Sequence, residues 1–171
     1  YAGQTLTKVA TMIYQGSNVT ASVCLGGTDA PGTVMATKSF TATPEQVVEV
    51  ELDTPVAIDG TQPLWIVMYC NDAEFPSAAS QYCGDPNSSW FGFNDEWAPA
   101  SDWGLSPMSW IIRGYVEDAE GRTVAISQGD LAPMATTSDK VMALTPEKKM
   151  IVGTPARTPR SEGYTYNLYK Q

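Results

Sequence analysis

The chain has 171 residues, a net charge of −9 and no histidine. The acid excess excludes a nucleic-acid phosphate backbone as partner, because such a partner needs a basic face. The missing histidine removes His-based triads, His–Cys dyads and nearly every zinc-enzyme arrangement. The apolar fraction of 43% and the length together predict one well-formed core, with a partial second unit at an end.

Thr5 to Tyr14, TLTKVATMIY, is β-rich, and Gln15-Gly16-Ser17 turns it. Asn18 to Leu25 then alternates, with Val19, Ala21, Val23 and Leu25 on one face and Asn18, Thr20, Ser22 and Cys24 on the other. Period two predicts a strand with one face in the core, and the two segments are expected to form a hairpin. Gly26 to Gly32 is a turn loop. A phosphate cradle is its functional alternative, although neither a helix nor a Lys-Ser or Lys-Thr pair follows. Thr33 to Phe40 and Gln46 to Leu52 continue the alternation, Val48, Val50 and Leu52 opposing Glu49 and Glu51. Prolines 31, 44, 55 and 63 interrupt every window long enough for a helix.

Pro63 to Cys70, PLWIVMYC, is uncharged and bounded by Asp59-Gly60 and Asn71-Asp72. That is the pattern of a central strand buried on both faces. Met108 to Val116, MSWIIRGYV, is the other strong apolar run and is expected in the same core. Between them lie a long acidic loop over 71–89, a short aromatic strand at Trp90 to Phe93, and a second loop over 101–107. Short strands with frequent turns describe a β-sandwich or barrel. Thr123 to Ile126 is a further strand candidate. Gln128 to Arg160, broken by prolines, suits a linker, with one helical turn possible at Pro146 to Met150. Gly163 to Lys170, GYTYNLYK, alternates like a strand that begins another β module or adds an edge to this one.

LWIV (Leu64 to Val67), WFGF (Trp90 to Phe93) with a following tryptophan, and SWIIRGYVED (Ser109 to Asp118) occur in an order that resembles a known family. The chain is similar, over roughly residues 3 to 118, to the cleaved-adhesin type of jelly-roll module. That type is found in gingipain proteases, haemagglutinins and large surface proteins of anaerobic Gram-negative bacteria. The resemblance implies an all-β jelly-roll sandwich over 1–118, related to galactose-binding-like domains. Residues 119–171 are then a linker plus the start of, or an edge strand from, a fibronectin-III-like module. It also implies a non-catalytic, extracellular or cell-surface role in adhesion to a glycan or a host surface protein. The family's calcium motif near an early tryptophan has no counterpart here, so no metal ligand is carried over from it.

Within Ser88 to Gly104, Trp97 and Trp103 with Asn94, Asp95 and Asp102 offer both halves of a sugar site. Aromatic rings can stack on the apolar C–H face of a sugar, and polar side chains can bind its hydroxyls. The plainer alternative is that the aromatics fill the core, with Trp90 and Trp110 assigned there outright. Asp72, Glu74, Asp85 and Asn87 could gather round a calcium ion, or form an ordinary solvated acidic loop. Paired carboxylates for glycoside hydrolysis would need a cleft and a set separation. Of the three cysteines, Cys70 and Cys83 can close the loop between them as a disulfide or stay reduced, while Cys24 reads as a small hydrophobe. Asn18-Val19-Thr20 and Asn87-Ser88-Ser89 match the glycosylation acceptor pattern. No apolar run approaches the roughly eighteen residues that cross a bilayer, so no membrane insertion is expected. Tyr1 at the start is expected of a processed or excised piece. The alternative function is an accessory domain that positions a separate exported peptidase or glycoside hydrolase.

Overall fold

The computed structural model describes residues 1–70, 72, 78–81, 85–93, 96–105, 108–126 and 164–170. Among them the regular structure is β-strand with two short 3-10 helices and no α-helix, which makes the protein an all-β sandwich. One four-stranded antiparallel sheet holds β1 (Gln4–Met12), β4 (Val47–Ile58), β10 (Ile112–Glu117) and β11 (Thr123–Ile126), in the order β11-β10-β1-β4. The facing sheet holds β2 (Asn18–Leu25), β3 (Thr33–Thr41), β5 (Leu64–Cys70) and β12 (Tyr164–Lys170), in the order β12-β5-β2-β3. Two small ladders complete the set: β6 (Ala79–Gln81) with β9 (Met108–Trp110), and β7 (Trp90–Phe93) with β8 (Glu96–Pro99).

β5 lies inside its sheet between β12 and β2, and all its residues but Tyr69 are buried. Two-sided burial explains its unbroken apolar run. The MSWIIRGYV segment divides into β9 and β10 and does share a core with β5. The contact is close at Gly114, where an added Cβ would stand 2.8 Å from Leu6 Cδ1 and 2.9 Å from Ile66 Cδ1. Only a residue without a side chain lets the sheets approach there. Ile66 therefore faces the opposite sheet, and Trp65 and Val67 face away from it.

The expected β1–β2 hairpin does not form. β1 pairs with β10 and β4, while β2 pairs with β3 and β5. The turn at Gln15 to Ser17 carries the chain from one sheet to the other, as sandwiches require of some connections. Within β1, the partners step from Leu6↔Val116 to Lys8↔Tyr115, so Thr7 is an extra residue. This bulge shifts the inward parity and lets both Leu6 and Val9 be fully buried. Val47 to Ile58 is a single strand, longer than the Gln46 to Leu52 alternation. Its pairing with β1 is broken across 52–55, where Pro55, lacking an N–H, leaves no ladder bond unmade.

Among the described residues beyond 118, two strands pair with this sandwich: β11 beside β10, and β12 along the outer edge of β5. The proposed linker over 128–160 and the helical turn at 146–150 lie outside the described residues. Among the described residues no helix is long and apolar enough to cross a membrane.

Candidate functional site

The aromatic segment packs as an extra layer against the outward face of β5. Trp65, with no solvent exposure, meets Trp90 edge-on at 5.6 Å and Trp97 edge-on at 5.9 Å between ring centroids. Its indole N–H donates to the Gly27 carbonyl at 3.2 Å. A second group joins Phe91 to Trp103 at 5.4 Å and to Trp110 at 6.2 Å. The Trp110 N–H, donating to the Trp90 carbonyl at 2.9 Å, ties the two groups together. Trp97 on β8, and Trp103 in the 3-10 helix Ala100–Trp103, are half-buried and packed on the core. Asp102 beside Trp103 is exposed and accepts from the Ser101 hydroxyl. Asn94 and Asp95 lie outside the described residues. Both tryptophans thus contribute to the packing of this layer.

The described acidic residues of this loop have different partners. Asp85 caps the 3-10 helix Pro86–Ser89, its carboxylate accepting from the Asn87 backbone N–H at 2.8 Å. Nearby, the buried Ser88 and Ser109 hydroxyls share a hydrogen bond of 2.8 Å. Asp72 does something different. Its carboxylate accepts from the backbone N–H groups of Ser17 and Asn18, the Ser17 hydroxyl, the Asn18 side-chain amide and the Cys70 thiol, at 2.8 to 3.1 Å. Burial acts to push the Asp72 carboxyl up, but the hydrogen bonds from Cys70, Ser17 and Asn18 outweigh it and hold the group well below the usual carboxylate range. A carboxylate so engaged is a latch on the sheet-crossing turn. Glu74 lies outside the described residues, and among those described no three His, Cys, Asp or Glu side chains group as a metal site.

Cys70 is a free, buried thiol that donates to Asp72, and Cys83 lies outside the described residues. Burial pushes the thiols of Cys70 and Cys24 up to about 12, so both are neutral and poor nucleophiles at neutral pH. The glycine loop is closed on itself. Its Gly26 and Gly32 N–H groups donate to the Pro63 and Gly26 carbonyls, which removes them as phosphate donors.

One surface feature was not singled out from the sequence. An open depression of about 370 Å³ crosses the second sheet and is lined by Asn18, Val19 and Thr20 of β2, Ser39, Phe40 and Thr41 of β3, and Tyr69 of β5. The volume falls in the range of roughly 300–1,000 Å³ usual for small-ligand sites. Register places Ser39, Thr20 and Tyr69 in one row across three strands, and Asn18 opposite Thr41 in the next. The Thr20 and Ser39 hydroxyls are 2.9 Å apart. The available signal was the run of Asn, Thr and Ser at alternate positions on β2 and β3, without a charge among them. No family profile, curated protein or solved structure matches the chain.

Proposed function

We propose that this chain is a non-catalytic recognition module of a secreted or surface-displayed bacterial protein, a jelly roll of cleaved-adhesin type that binds a glycan. The observation that supports this reading is the depression on the second sheet. It presents hydroxyls, an amide and a phenol on a stiff three-strand floor, under which Val19 and Phe40 of the intervening row pack on the core. A sugar offers the complementary surface, hydroxyls that both donate and accept. Placement on strands fixes these groups better than placement on loops would. The test is a glycan array probed with the purified chain. Saturable binding to a defined set of glycans is expected. An array without a reproducible hit, at protein concentrations reaching the millimolar range, would remove the reading.

A further inference from the structure

We infer that the ligand of this depression is an uncharged saccharide and that Asp72 acts as a positioning residue for it, through Asn18. This rests on the glycan-binding reading and specifies its chemistry.

The first half follows from what lines the depression. Among the described residues that line it, none carries a carboxylate, ammonium or guanidinium. An acidic sugar would bring a carboxylate or sulfate to a surface whose described lining offers no cation to receive it, on a chain whose net charge is −9. Lys38, the one cation on β3, has its ammonium held by Asp53 of β4. Hydroxyls and an amide are suited to a neutral partner that is itself donor and acceptor at each position.

The second half follows from the Asn18 amide. A carboxylate can only accept, so the amide must turn its nitrogen to Asp72, at 2.8 Å. The side-chain carbonyl oxygen is then fixed at the other end of the same planar group and has no hydrogen bond among the described residues. Asn18 is thereby held as an acceptor at the rim of the depression it lines. The Thr20–Ser39 pair complements it. One hydroxyl hydrogen is used between the two oxygens, and the other remains to be donated to a ligand. Acceptor and donor stand in adjacent rows of one ladder. Asp72 itself need not touch the sugar. It is engaged with the turn and keeps the amide from flipping, so the acceptor is preset before binding.

The experiment is isothermal titration of the full chain with maltotetraose, laminaritetraose and N-acetyllactosamine, with sialyllactose as the acidic comparison. At least one neutral sugar is expected to bind more tightly than the acidic one. Asn18→Ala, at an exposed position, should weaken that binding roughly tenfold, the size of one well-placed hydrogen bond. Asp72→Asn should weaken it to a similar degree. The double variant should be no weaker than either single one, because both remove the same contact. Additive losses, or full affinity in Asp72→Asn, would overturn the positioning role, and a preference for sialyllactose would overturn the neutral class. Should Asp72→Asn fail to fold, Ser39→Ala takes its place. Full affinity there and in Asn18→Ala, with binding lost in Trp97→Ala, would move the site to the aromatic layer and leave glycan binding standing. No binding by the unaltered chain to any of these sugars or on the array would remove both proposals together.

Discussion

The outward faces of the two sheets are built on opposite principles. On the first, Lys8 bridges to Glu49 at 2.6 Å and lies 4.3 Å above the Tyr115 ring, and the Tyr115 hydroxyl donates to Glu49. The Lys8 hydrogen bond, and after it that of Tyr115, lowers the Glu49 carboxyl below its ordinary range, while Glu49 raises the Lys8 ammonium. These charges answer one another and leave little for a partner to gain. On the second, half the face is roofed by Trp90 and Trp97 over Trp65, and the other half is a neutral array of hydroxyls and an amide around an open depression. The same antiparallel geometry thus gives a self-neutralised face and a face able to form new hydrogen bonds. Side-chain chemistry on the outward positions makes the difference.

The largest effect that tests this contrast is removal of the roof's anchor. Trp65→Ala should cost about 3–5 kcal/mol, the range for deleting a fully buried large aromatic, read as a lowered urea midpoint at unchanged slope. A loss under about 1 kcal/mol would mean that the aromatic layer does not pack as one unit on β5.

A smaller effect concerns Asp72. A carboxyl whose folded pKa is depressed stabilises the fold fully above its unfolded value of about 3.9. That stabilisation is lost as pH falls through the lower folded value. Thermal melts of the unaltered chain should therefore show part of their acid loss only below about pH 4, and Asp72→Asn should lack that part. Identical melting profiles for the two proteins over that range would show that the latch contributes nothing to stability. The smallest effect belongs to the first sheet. Lys8→Met should change stability slightly, in a manner that fades at high salt, and should leave glycan affinity untouched. A loss of sugar binding in Lys8→Met would erase the distinction between the faces.

Period-two alternation made the strands legible in the sequence, because burying one face of a sheet dictates it directly. PLWIVMYC stood out because a strand covered on both sides admits nothing polar. The destination of a strand after a turn was not legible. Gln15 to Ser17 reads the same whether the chain returns beside β1 or crosses to the other sheet. Thr7 was equally silent, since a bulge shows only as a phase change between Leu6 and Val9. Of the candidate site residues, Trp97 and Trp103 were visible as aromatics in a polar segment, yet only their neighbours Trp65 and Phe91 reveal how much of each ring is covered. Asp72 resembled a loop carboxylate because its partners, Ser17 and Asn18, are more than fifty positions away. The depression was hidden for a similar reason. Asn18, Thr20, Ser39 and Thr41 are unremarkable on their own strands and form a surface only when register sets them side by side.

The narrow gap at Gly114 has a further consequence. With methyl ends from Leu6, Ile66 and Ile126 crowding that point, the space between the sheets offers a guest molecule no room there, unlike the lumen of a lipocalin-type barrel. Selectivity in such a body is written on its exterior. Outward residues can be exchanged to suit a new partner while the interior that sets the melting point is left as it was.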